Sequence, residues 1–348
     1  MSALAAAAAC APERPPVAPS PGEIETTLFL IGDAGAPDPR DVGAPLEELA
    51  RYAAEAPERT VIVFLGDNAY PYGIPPEDDP SRADARRRLE AQIVSVPHGV
   101  RGVFLPGNAD WDKAGVFGLA AIRLQERLIA ELAGGRDVRM LPGDGCPGPV
   151  SFDVGRLRVI GLDTQWWLHD YVVADEASDC HTDVGAITNA LREQVRSPDR
   201  EDRVVVVTGH HPLRTGGPHG GYCGPTAPFR RFGGRSQDII SRANRTMRDS
   251  IESAMSARPP LVYAAGHDHN LQVLRGGPSV EYVLVSGAGA YSKADCVVHM
   301  RETHFASQNR SGFMRLDLLR GGGVLLRVYD YDGGGRGGLA YTRWLEPR

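Results

Sequence analysis

Five apolar runs constrain this chain more than any other feature, because each closes on a polar turn holding a residue that can bind metal. They are 27–31 (Thr27-Leu28-Phe29-Leu30-Ile31), 61–65, 103–105, 204–207 and 261–263. Continuous β-branched and aromatic stretches of this length suit strands buried on both faces. The turns read Gly32-Asp33-Ala34-Gly35, Gly66-Asp67-Asn68-Ala69-Tyr70, Gly107-Asn108-Ala109-Asp110, Gly209-His210-His211-Pro212 and Gly266-His267-Asp268-His269. Glycine allows tight turns and close backbone approach there. Asp, Asn, Tyr and His supply oxygen and nitrogen donors that suit hard to borderline cations. Taken singly, an Asp after a strand is an ordinary turn former or helix cap. Five such strand ends in one order point to a shared metal site.

Segments 44–56, 81–94, 116–133, 184–195 and 236–256 carry spaced apolar residues among charges and predict helices. Strand and helix therefore alternate, which argues for an α/β sandwich. Segments 281–286, 312–319, 323–329 and 339–344 predict a strand-rich closing sheet. Residues 1–22 are expected to be a tail and Pro-rich linker, and 23–348 one catalytic domain. Three long irregular stretches, 70–80, 165–183 and 213–235, are candidate substrate walls, since loops beyond strand C-termini usually build α/β sites.

The net charge of −6 argues against a nucleic-acid partner. No stretch approaches the roughly 18 apolar residues of a membrane span. The alanine-rich run from Met1 to Ala9 ends at Cys10 and is followed by prolines, like the tail of a bacterial lipoprotein signal, although no Lys or Arg precedes it. The expectation is an extracytoplasmic chain, lipid-anchored at Cys10, periplasmic or secreted. The other four cysteines, Cys146, Cys180, Cys223 and Cys296, are either two disulfides of unassigned pairing or four buried thiols. None forms the Cys-x-x-Cys pair of a thiolate zinc site. Nothing in the sequence signals an oligomeric state.

The order Asp…Gly-Asp-Asn…Gly-Asn…Gly-His…Gly-His-x-His resembles the calcineurin-like metallophosphoesterase superfamily. Within it, Gly32-Asp33-Ala34-Gly35, Gly66-Asp67-Asn68-Ala69-Tyr70 and Gly266-His267-Asp268-His269-Asn270-Leu271-Gln272 resemble the purple acid phosphatases, above all the small tartrate-resistant type. Val283-Leu284-Val285-Ser286-Gly287-Ala288-Gly289 adds to the likeness. The resemblance implies a four-layer αββα sandwich of two mixed sheets flanked by helices, with a dinuclear metal site at strand C-terminal ends. It implies that Asp33, Tyr70 and His269 hold one metal, with iron at the Tyr70 site. Asn108, His210 and His267 would hold a second, iron, zinc or manganese, with Asp67 bridging. Most of the superfamily has His where Gly35 stands, and its absence beside Tyr70 favours the purple branch.

Such a metal pair clamps attacking and leaving oxygens and supplies a metal-bound hydroxide at neutral pH. The implied function is hydrolysis of a small phosphomonoester. The alternatives are a phosphodiesterase acting on nucleotides or phospholipid headgroups, and a catalytically silent metal- or phosphate-binding protein. One departure matters: the family's third motif carries a His where this chain has Ala109. Asp110, the expected holder of that imidazole, remains, and His211 and His219 are the nearest replacement acids. Loss of a positioned acid costs about 10²–10⁴ in rate, so a slow or inactivated enzyme is expected. Asn108, Arg214 and Tyr222 are the expected substrate contacts.

Overall fold

The computed structural model describes residues 18–36, 44–169, 180, 183–196, 203–232, 234–290 and 294–347. The Cys10 tail lies outside them, as does most of the 165–183 stretch. Among the described residues, strands numbered in chain order form two seven-stranded sheets. The first contains β1 (Ile24–Ile31), β2 (Thr60–Phe64), β3 (Arg101–Phe104), β4 (Asp137–Met140), β12 (Ser311–Leu319), β13 (Val324–Tyr331) and β14 (Gly337–Leu345), in the order β14-β13-β12-β1-β2-β3-β4. The second contains β5 (Val150–Val154), β6 (Leu157–Gly161), β7 (Val204–Thr208), β8 (Val262–Ala265), β9 (Leu271–Arg275), β10 (Tyr282–Ser286) and β11 (Thr303–Ser307), in the order β11-β9-β10-β8-β7-β6-β5.

Strand alternation builds the layers. Leu28, Leu30, Val61, Val63, Val262 and Ala264 point into the core between the sheets. Their neighbours Phe29, Ile31, Ile62 and Phe64 face outward against α1 (Ala44–Ala53), α2 (Arg82–Val94) and α3 (Gly118–Leu132). On the other side, Val205, Val207, Tyr263 and Ala265 pack against α4 (Val184–Val195) and α6 (Arg242–Met255). A short α5 (Ala227–Phe232) lies in the 213–235 loop. Because both faces of each central strand are covered, the sequence shows continuous apolar runs rather than alternation. The result is the helix–sheet–sheet–helix sandwich that the resemblance implies, with two mixed sheets.

One expectation is corrected. The C-terminal strands do not form a sheet of their own. β12–β14 extend the first sheet through the antiparallel β1–β12 pair, while β10 sits inside the second beside β8. β1–β4 run parallel, as do β6, β7, β8 and β10, so their C-termini share one edge of the sandwich.

A buried charge cluster ties the antiparallel part together. Asp317 accepts hydrogen bonds from Thr27 Oγ1 (2.8 Å) and Arg315 Nε (2.9 Å), and Arg327 lies 3.1 Å away. Removing one member of such a group strands the rest, at about 3–5 kcal/mol. Asp317→Ala should therefore destabilise the fold by about that amount, read as a lower denaturant midpoint at unchanged slope. A loss below about 1 kcal/mol would show that the two guanidiniums find water instead.

Candidate metal centre

The five sequence-predicted turns follow β1, β2, β3, β7 and β8, and they meet at the shared edge. Asp33, Asp67 and His267 adopt left-handed backbone conformations, with φ of 59°, 56° and 70°. Non-glycine residues rarely hold such angles unless their surroundings over-determine them. The turns pack too closely for side chains at two glycines. A Cβ on Gly107 would collide with Asp67, and one on Gly35 with the Asn68 backbone. The second clash explains why position 35 carries no imidazole here.

The ligand groups are cross-braced. Asp33 Oδ2 accepts from the His267 N–H (2.8 Å), joining the β1 turn to the β8 turn across the two sheets. Asp67 Oδ1 accepts from the Ala109 N–H (2.7 Å), joining β2 to β3. His210 Nδ1 lies 2.8 Å from the Leu65 carbonyl, joining β7 to β2. One group forms from Asp33, Asp67 and His269, with ligand atoms within 4.8 Å of one another. Tyr70 completes it, its hydroxyl 2.8 Å from Asp33 Oδ1 and 3.1 Å from His269 Nε2. The second forms around Asn108 Oδ1, which lies 3.1 Å from His210 Nε2 and 2.9 Å from His267 Nδ1. Asp67 Oδ1 stands 3.4 Å from His210 Nε2, so Asp67 belongs to both groups.

The donor chemistry fits cations. Each of three imidazoles has its outer nitrogen beside an oxygen: His210 Nδ1 at the Leu65 carbonyl, His267 Nε2 at the Gln237 carbonyl (3.2 Å), and His269 Nδ1 at Asp295 (3.3 Å). The outer N–H donates there, which in a neutral ring leaves the inner nitrogen a lone pair. Those lone pairs face the oxygens of Asp33, Asp67 and Asn108. With neutral rings these contacts, at 2.9–3.4 Å, would set acceptor against acceptor, which a proton or a cation between them relieves. Asp33 is 0% exposed and Asp67 2%, and among the described residues their ion-pair partners are only these imidazoles. Buried carboxylates without a cation are costly.

Without metal, protons partly fill the role. Burial opposes the charge on His269, yet Asp295 and Asp33 push its pKa up to about 10. Burial and the two nearby aspartates drive the Tyr70 phenol well above its usual value. Burial, reinforced by neighbouring imidazoles, holds His267 well below the usual histidine range.

His211 and Asp110 do not take their expected places. His211 Nδ1 lies 2.8 Å from Thr164 Oγ1, which already accepts from the N–H groups of His210 and His211, so the hydroxyl donates to the ring. Its Nε2–H donates to Gln237 Oε1 (2.6 Å). Both ring nitrogens are hydrogen-bonded and burial holds the pKa well below the usual histidine range, so His211 braces the site, while one of its nitrogens also lies within 4.8 Å of those of His210 and His267. Asp110 accepts four N–H donors, from Gly107, Asn68 (backbone and side chain) and Ala69 at 2.8–3.1 Å. It clamps two ligand turns together rather than waiting for an imidazole.

Arg214 is also corrected: its guanidinium lies against Gly277 in the β9–β10 turn and 3.5 Å from Glu252, at the sheet end remote from the metals. Tyr222 is 46% exposed and engages Arg231 within its own loop. His219 does reach the site. Its ring sits 3.9 Å from that of His267, and its Nδ1 bonds Asp238 Oδ1 (2.9 Å). Sequence reasoning missed Thr164, Gln237, Asp238 and Asp295. Only the cysteine next to Asp295 gave a signal: Cys296 is disulfide-bonded to Cys223, bringing the Asp295 segment to the His219 loop. Cys146 pairs with Cys180.

No protein-family model and no curated protein matches the sequence. Solved structures do match. One is GAP50, the anchor in the inner membrane complex of Plasmodium, at TM-score 0.62 and 16% identity, covering 93% of this chain and 90% of that one. Another is purple acid phosphatase PPD1 from yellow lupin (Lupinus luteus) seeds, at TM-score 0.56 and 14% identity. It covers 94% of this chain, which spans 55% of the lupin chain. At these identities the likeness establishes a metallophosphoesterase-like fold.

Metal binding must displace the His269 proton, because its pKa of about 10 leaves it charged at neutral pH. Loading should therefore release protons, and affinity should rise with pH until His269 has titrated. Calorimetric titration in buffers of different ionisation enthalpy reads this directly. Zero net proton release at pH 7 would contradict the arrangement.

Proposed function

We propose that this chain hydrolyses small phosphate esters, phosphomonoesters first, at a pair of metal ions. Asp33, Tyr70 and His269 would hold one ion, Asn108, His210 and His267 the other, with Asp67 between. The observation that carries the reading is the convergence of imidazole nitrogens and buried oxygens at the ends of five strands. When bound, two cations neutralise charge on phosphoryl oxygens and lower the pKa of an attacking water. Everything else is done by side chains of this chain.

His210, His267 and His269 are oriented by Leu65, Gln237 and Asp295, so each turns its inner nitrogen toward the cluster, His269 offering a lone pair once its proton has left. Asn108 has a carbonyl placed for a ligand and an amide able to donate to a phosphoryl oxygen. His219 is the group best placed to protonate the departing oxygen. Asp238 accepts from its Nδ1–H, which leaves Nε2 to carry the proton given up. Asp238 stays below the usual carboxylate range because His219 and the Arg235 N–H outweigh its burial.

Ala109 is fully buried beside Ala36, Tyr70 and Ala290, so one acid of the resembled family is missing and turnover is slow. That gap also sustains the rival reading, a silent metal-binding protein. We place iron at the Tyr70 site, where a tyrosinate would colour the protein. Two disulfides fit an oxidising compartment, and among the described residues no helix is long and apolar enough to cross a membrane. We propose a bacterial lipid anchor at Cys10.

Metal analysis should find two ions per chain. p-Nitrophenyl phosphate should be cleaved faster than bis-p-nitrophenyl phosphate after loading with iron, zinc or manganese; the reverse order would make it a diesterase. His219→Gln should lower kcat by about 10²-fold or more at unchanged metal content, and Ala109→His should raise it. Full metal occupancy with no cleavage of either ester, in both the native chain and Ala109→His, would leave the silent reading standing. Tyr70→Phe should abolish a visible absorption band of the iron-loaded protein.

A further inference from the structure

We propose that the apolar cavity bordering the metal centre at Tyr70 receives the alcohol portion of the substrate, and that this portion is an uncharged aromatic body. The proposal rests on the phosphoester reading above and names its substrate class.

The cavity, of about 490 Å³, lies between the 70–81 loop, the start of α2, and α3. Tyr70, Tyr72, Ile74, Phe117, Ala121 and Leu124 are among its lining. Its size falls in the range of small-molecule sites, about 300–1,000 Å³. Tyr70 belongs to both places: its hydroxyl sits with Asp33 and His269, and its side chain walls the cavity. Ala36, Ala109 and Ala290 pack with Tyr70 in a buried apolar cluster.

Two observations choose the occupant. Tyr72 is 56% and Phe117 71% exposed, a costly display of aromatic surface that a flat apolar ligand would cover. The charged lining is acidic: Asp79, Asp84 and Asp112 contribute, and no Lys or Arg does. Asp84 is paired with Arg87 and Arg88, so Asp79 and Asp112 set the sign. Lys113 stands over the Tyr72 ring, 4.5 Å away, without joining the lining. A second phosphate or carboxylate on the alcohol would meet these acids, which disfavours nucleoside polyphosphates and acidic peptides. In the reaction, water oxygen bonds to phosphorus and the phosphorus–oxygen bond to the alcohol breaks. The alcohol oxygen takes a proton and the aromatic alcohol is left in the cavity.

The test compares 2-(2-naphthyl)ethyl phosphate with ethyl phosphate on the metal-loaded chain. Both leaving groups are primary alcohols, so a difference reports binding rather than leaving-group acidity. The naphthyl ester should have the higher kcat/KM by about tenfold or more, chiefly through KM, as burial of one aromatic side chain would give. Ala120→Trp, which fills the cavity from an exposed α3 position, and Phe117→Ser should bring that ratio toward one. The ratio cancels any general loss of activity or folding. A ratio near one in the native chain, or one unmoved by Ala120→Trp, overturns the proposal. If neither ester is cleaved, fluorescence titration with 2-(2-naphthyl)ethanol separates the cases. Binding that Ala120→Trp abolishes upholds the cavity and sinks the hydrolysis reading, whereas no binding sinks the cavity itself.

Discussion

The fold is organised around a buried cluster that needs positive charge. Two aspartates, an asparagine carbonyl and the inner nitrogens of three imidazoles are brought together with no Lys or Arg among their described ion-pair partners. Such a cluster is unfavourable alone, and the backbone around it shows the cost, with Asp33, Asp67 and His267 all in left-handed conformations. It persists because the strands beneath it are buried on both faces and the turns are cross-tied by the same side chains that would bind metal. Asp33 and His210 each act as donor group and as bolt between the two sheets. The cation site and the sheet–sheet contact are therefore one construction.

This dual use explains what the sequence revealed. The ligand turns were legible because each follows a long apolar strand and includes glycine, both local signals. Helix 184–195 was read to its ends because Asp183 caps it through the Ala186 N–H and its apolar stripe is regular. β5, whose Val150, Phe152 and Val154 are only half-buried, gave too weak a pattern, as did β4, where Asp137 and Arg139 interrupt the apolar residues. The role of Asp110 was misread because four N–H donors from three residues meet its carboxylate only after two loops dock. Arg214 looked like a phosphate grip because it shares a loop with His219, yet sequence proximity does not fix direction once a chain leaves a strand.

The outer partners of the imidazoles come from places the sequence cannot connect to them. Gln237 precedes α6, Asp295 follows β10, and Thr164 begins the 3-10 turn after β6. Each reaches the centre through tertiary contacts alone. Their chemistry is nonetheless specific. Asp295 and Asp33 hold His269 from opposite sides of the ring, while Gln237 holds His211 by its side chain and His267 by its carbonyl. Such partners decide which nitrogen faces a cation, so they set metal affinity without touching metal.

Ligands and walls are built from different material. The ligands stand on turns at the ends of central strands, where packing leaves no room even for a Cβ at Gly35 or Gly107. The walls are loops: 70–81 with its prolines, and 213–235, which Cys223–Cys296 ties to the segment carrying Asp295. Changes in the walls can therefore alter what is accepted without disturbing what is held. Position 109 is where the two meet. Its N–H secures Asp67, while its side chain belongs to the apolar cluster around Tyr70. An imidazole there would put a polar group into that buried apolar cluster. An alanine there keeps the backbone bond to Asp67 and the apolar packing around Tyr70 while leaving out the imidazole.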